Sequence, residues 1–133
     1  MNPVVHFEMP AEDRQRMGTF YAKAFGWEIQ HMGKEFGNYV LAMTTESTKK
    51  GPKKPGAING GFYQKTKKDQ YTTLVIAVND IKKAMQQVKK SGGKVLGGQK
   101  PGKPDDIPGV GLFVAFLDTE GNRVGMLQPA PRQ

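Results

Sequence analysis

Two residues near the start of the chain carry most of the side-chain chemistry on offer. They are His6 and Glu8, in the run VVHFEMPAED. On a strand, residues two apart point to the same face and lie about 6–7 Å apart along it. An imidazole and a carboxylate so placed suit acid–base work: His6 is the candidate general base, with Glu8 or Arg123 to orient a substrate. They do not by themselves suit a metal, because a divalent ion wants three or four imidazole, carboxylate or thiolate donors. The other histidine, His31, falls near a strand end and has no partner in sequence. A lone histidine on an inner strand face is ordinarily a hydrogen-bonded residue rather than a ligand, and Glu8 has an ordinary reading too, as an ion-pair partner of Arg123.

Several chemistries are excluded. The chain has no cysteine, so thiolate nucleophiles, thiolate ligands and disulfides are absent and a cytoplasmic setting is expected. Its serines, Ser47 and Ser91, fall in a loop and at a helix end, which argues against a Ser–His–Asp system. The phosphate-loop pattern G-x-x-x-x-G-K-[ST] is missing, and the run GGQKPGK at 97–103 contains a proline and opens no helix. The formal charge is +8, from 20 Lys and Arg against 12 Asp and Glu. Those lysines crowd into loops and onto helix faces without interleaved aromatics, so they read as solvated surface rather than as a nucleic-acid platform. No apolar run approaches the ~20 residues of a membrane helix, and the first residues lack the charged-then-apolar design expected of a signal peptide.

The elements that position His6 and Glu8 come from an internal repeat. Residues 4–29 and 71–96 share one pattern, and an offset of 67 carries His6 onto Thr73, Asp13 onto Asp80, Tyr21 onto Val88 and Gly26 onto Gly93 without a gap. Residues 4–9 alternate as a strand, with Val4, His6 and Glu8 on one face and Val5, Phe7 and Met9 on the other. Pro10 and Ala11 then turn into a helix with Glu12 and Asp13 in its first turn and Met17, Phe20, Tyr21 and Ala24 as its apolar stripe. Gly26 is the expected cap. Strands follow at 27–32, 38–44 and 57–64, with a basic hairpin loop at 45–55. The second copy supplies a strand at 72–78 whose Leu74, Ile76 and Val78 lie under a helix. That helix has the stripe Ile81, Ala84, Met85 and Val88, and strands at 94–97, 111–118 and 122–128 complete the copy. Residues 37–44 resemble 111–118, and GAING at 56–60 matches GNRVG at 121–125. The expected class is α+β: two βαβββ modules, 1–66 and 67–133, in a single domain. Their eight strands curve around a central cleft, with the helices outside.

Paired βαβββ modules, together with HFEMPAED, FYAKAFGW at 20–27 and DTEGNRVGMLQP at 118–129, resemble the vicinal oxygen chelate superfamily of glyoxalases, bleomycin-resistance proteins and extradiol dioxygenases. The resemblance covers nearly the whole chain and is greatest to predicted glyoxalase-related bacterial proteins. It implies a small-molecule ligand, and a homodimer because related two-module chains often pair. In metal-using members, inward positions on the first and fourth strands of each module supply the ligands. Here those positions map to His6, Gly60, Thr73 and Gly125, and only His6 is of a suitable type. The expectation is therefore a ligand-binding protein without the family metal site and without another cofactor. Its cleft would be lined by His6, Glu8, Tyr39, Ile58, Phe62, Thr73, Val75, Phe113, Arg123 and Leu127. Whether it is an enzyme stays open, and the alternative is a metal-dependent lyase, isomerase or dioxygenase.

Overall fold

Strand alternation and helical stripes become paired elements in the computed structural model, which describes residues 1–131. The chain divides into two compact units, one of residues 6–72 and one of residues 1–5 with 73 onward. Each contains a strand-helix-strand-strand-strand module of the expected α+β class.

The first module runs through β1 (Val4–Ala11), α1 (Arg14–Phe25), β2 (Glu28–His31), β3 (Val40–Met43), a small ribbon of β4 (Ser47–Thr48) and β5 (Gly51–Pro52), and β6 (Asn59–Gln64). Its strand order is β2-β3-β6-β1, antiparallel except for the parallel β6–β1 pair. β1 does not stop at Pro10. Proline lacks only its own N–H, and the Ala11 carbonyl still accepts from Lys65 N at 2.8 Å, so pairing continues. The helix consequently begins later than its sequence suggests. Asp13 is its N-cap, accepting from Arg16 N at 2.9 Å, and no acidic residue lies in the first turn. Gly26 closes it in the left-handed region at φ 75°, where a side chain would be strained.

One face of this sheet is core. Ala11, Val40, Ala42 and Phe62 are buried there, with Met9, Met17, Tyr21, Trp27 and Ile29 packed against them. Tyr21 stacks on Trp27 with ring centroids 4.5 Å apart. The expected helical stripe is corrected here. Gly18 is buried against Ile29, whose Cγ2 would lie 2.9 Å from an added Cβ. That close approach rolls the helix so that Met17, Gly18 and Tyr21 face the sheet, and Phe20 is left 57% exposed. Burying a side chain the size of Phe62 contributes about 1.5–3 kcal/mol.

The second module comprises β7 (Thr73–Ala77), α2 (Ile81–Lys90), β8 (Lys94–Gly97), β9 (Asp105–Ile107), β10 (Gly111–Leu117) and β11 (Arg123–Pro129). Its order is β7-β11-β10-β8, with β9 pairing the start of β10 inside what reads in sequence as a glycine- and proline-rich loop. α2 follows its expected stripe. Ile81 and Met85 are buried with Val78, Val114 and Met126, and Ala84 and Val88 pack against them. Asp80 caps the helix through Lys83 N at 3.1 Å, and the Gln128 side chain accepts from Ile81 N at 2.9 Å. Leu74, expected beneath α2, is 48% exposed because it precedes the stretch the helix covers.

Candidate functional site

Strand register decides which side chains share the helix-free face of the first module. β1 pairs β6 with His6 opposite Asn59, Phe7 opposite Gly60, Glu8 opposite Gly61 and Met9 opposite Phe62. β3 pairs β6 with Leu41 opposite Gly61 and Ala42 opposite Gly60. Directly paired residues project to the same side of a sheet. The helix-free face therefore carries His6, Glu8, Tyr39, Leu41, Asn59, Gly61 and Tyr63.

This corrects three positions. Gly60 lies on the core face, where an added Cβ would run into the Phe7 ring. Phe62 is fully buried in that core. Ile58 precedes β6 in the phase of Gly60 and Phe62, and its carbonyl accepts from the Thr44 hydroxyl. The position beside Glu8 is Gly61, not Gly60. With two adjacent glycines, the sequence offers either phase, and side-chain period two turns a slip of one residue into a change of face. The first-strand offset of 67 contained the missing signal, since it carries Glu8 onto Val75, and Val75 pairs with Gly125.

Tyr39 is the centre of this face. Its ring covers Gly61, where any Cβ would collide with the ring and its hydroxyl. The Tyr39 hydroxyl lies 3.0 Å from His6 Nε2 and also hydrogen-bonds the Glu8 carboxylate. Burial, then the negative charge and hydrogen bond of Glu8, then Tyr63, push the Tyr39 phenol well above its ordinary pKa, so it remains a neutral donor. Burial lowers the His6 imidazole from 6.5 to about 4, so it is neutral at pH 7. Tyr39 is placed from below by a turn that sequence reading did not connect to it. Arg14 of α1 donates to the carbonyls of Gly37 and Asn38 at 3.2 and 2.9 Å, immediately before Tyr39. Asn59 is fixed as well: its side-chain oxygen accepts from Thr44 N at 2.8 Å, and its amide nitrogen donates to Ser47 Oγ at 2.8 Å.

The second module places its expected residues in one phase. Val75 pairs with Gly125, Leu127 with Phe113, and Leu117 with Arg123. Thr73, Val75, Phe113, Arg123, Gly125 and Leu127 thus share the face opposite α2. Phe113 repeats the part of Tyr39, since a Cβ on Gly125 would sit 2.6 Å from its ring. Arg123 is exposed.

These residues do not fit a divalent cation. In the first module the fourth-strand positions on the helix-free face are Asn59, Gly61 and Tyr63, and in the second they are Arg123, Gly125 and Leu127. None is an imidazole or carboxylate, and His6 Nε2 is engaged with Tyr39. Among the described residues, no three His, Cys, Asp or Glu side chains form a group able to hold a metal. No helix among them is long and apolar enough to cross a membrane.

Solved structures share this fold at low identity. A variant of the Streptomyces coelicolor methylmalonyl-CoA epimerase in complex with 2-nitronate-propionyl-CoA aligns with a TM-score of 0.72 at 14% identity, covering 100% of this chain and 98% of that one. The methylmalonyl-CoA epimerase of Mycobacterium tuberculosis aligns with a TM-score of 0.67 at 12% identity, over 96% and 88% of the two chains. A hypothetical protein from Bacillus halodurans gives 0.67 at 11% identity, over 99% and 97%. No protein of curated function matches in sequence. The family model of the Glyoxalase/Bleomycin resistance protein/Dioxygenase superfamily matches residues 4–126, and the chain belongs to that superfamily.

Proposed function

We propose that this protein binds a small organic molecule on the helix-free face of its first module, and that it does so without the metal site used by other members of its superfamily. One observation carries the reading. Where a fourth-strand donor would stand beside Glu8, the chain has Gly61, and the Tyr39 ring fills the space and hydrogen-bonds both His6 and Glu8. The face is then a mostly apolar floor of Leu41, Tyr39 and Tyr63 with a few fixed polar groups, the usual composition of a ligand site. Ligand capture without turnover is the role the bleomycin-resistance side of the superfamily suggests, and a cytoplasmic protein acting on small molecules is the setting we favour.

The test is metal analysis of purified protein followed by titration with Co²⁺, Ni²⁺ and Zn²⁺. We expect well under one equivalent of bound metal and no saturable site involving His6. One tightly held equivalent lost on His6→Ala would overturn the reading.

A second reading is favoured by the continuous hydrogen bonding of His6, Tyr39 and Glu8 and by the shared fold with methylmalonyl-CoA epimerases. In it, the same three residues perform metal-free acid–base chemistry, with His6 accepting a proton from the substrate. Turnover that survives His6→Ala would exclude it.

A further inference from the structure

We infer that Tyr39 and Glu8 hold His6 in the Nε2–H tautomer, so that its Nδ1 is a hydrogen-bond acceptor selecting ligands that are neutral donors. This deepens the binding site proposed above and rests on it. The phenol of Tyr39 has one proton, and the Glu8 carboxylate can only accept, so that proton is committed to Glu8. The contact between Tyr39 Oη and His6 Nε2, at 3.0 Å, must then use a proton from the imidazole. A neutral imidazole protonated at Nε2 has its lone pair at Nδ1. Burial, which keeps His6 uncharged at pH 7, preserves that lone pair.

Nδ1 makes no hydrogen bond among the described residues, and no buried side-chain nitrogen or oxygen of an unexposed residue there lacks a partner. An unpartnered Nδ1 is therefore not sealed in the core, and we place it on the ligand's side of the ring. The ligand chemistry follows. An O–H or N–H donor satisfies Nδ1. A group offering only lone pairs does not, and an anion is further disfavoured by the Glu8 carboxylate behind Tyr39. The site thus opposes the +8 charge of the whole chain, which would on its own draw anions. Tyr39 acts as a positioning residue, through His6.

Histidine ¹⁵N NMR at pH 7.5 tests this without knowledge of the natural ligand. In the protein alone we expect His6 as the Nε2–H tautomer, and in Tyr39→Phe a mixture of tautomers with the fold retained. A His6 protonated at Nδ1, or one unchanged in Tyr39→Phe, overturns the inference. The ligand class is read with three probes: phenol, anisole and benzoate. Phenol should perturb Nδ1 and bind about three- to ten-fold more tightly than anisole, the worth of one hydrogen bond, with benzoate weaker still. Equal or tighter binding of anisole or benzoate contradicts the donor selectivity. If no probe perturbs Nδ1, the binding reading itself fails, and because the tautomer is measured without ligand, the two failures are told apart.

Discussion

The two modules use one framework to opposite ends. In each, an aromatic residue two positions before the third-strand partner of a fourth-strand glycine lays its ring over that glycine: Tyr39 over Gly61, and Phe113 over Gly125. The register agrees, with Leu41 opposite Gly61 and Ala115 opposite Gly125. What differs is the first strand. His6 and Glu8 accompany Tyr39, whereas Thr73 and Val75 accompany Phe113. A single hydroxyl on the ring, held between an imidazole and a carboxylate, turns an apolar plug into a polar handle. The comparison teaches that the glycines are room for a ring as much as they are lost donors.

The comparison can be broken most forcefully at Phe62. Because that ring is core, Phe62→Ala should cost about 3–5 kcal/mol in urea unfolding. A ligand-face residue would instead alter binding and leave stability nearly intact.

Acid comes next. The folded His6 titrates at about 4 and the unfolded one near 6.5, so below 6.5 the unfolded chain binds the extra proton. The stability due to neutral His6 is whole above pH 6.5 and is lost as pH falls toward 4, by up to about 3 kcal/mol. Replacing His6 with the residue of the second module, His6→Thr, should remove that part of the acid dependence, measured as the difference between the two proteins' unfolding free energies across this range.

Gly61→Ala and Gly125→Ala should each cost about 1–3 kcal/mol by overpacking, with only the former changing the environment of His6 in NMR spectra. The smallest effect is that of Tyr39→Phe, which makes the first module's ring like the second's. Removing the donor to Glu8 and the partner of His6 should cost about 1–2 kcal/mol. In a double-mutant cycle with His6→Thr, the two changes should be non-additive.

Much of this was legible in sequence because the repeat is carried by local rules. The cap at Gly26, the α2 stripe and the alternation of β7 and β11 each name their own place, and the second-module face follows from them. The first-module face slipped at Ile58, Gly60 and Phe62, where the adjacent glycines Gly60 and Gly61 erase the alternation that fixes phase. β1 continued through Pro10 because a neighbouring strand supplied its partner, which local propensity does not register. Tyr39 was identified as a face residue, but its bonds to His6 and Glu8 depend on long-range pairing of β1, β3 and β6. The support it receives from Arg14, 24 positions before Asn38 in the chain, has no sequence signature at all.

A crystal structure of the purified protein, with anomalous difference maps at transition-metal edges, tests the central claim most directly. The account predicts Tyr39 Oη seated between His6 Nε2 and Glu8 over Gly61, with any bound density on that face being organic and reaching His6 Nδ1. An anomalous peak bonded to His6, with the Tyr39 ring swung away from Gly61, would contradict it.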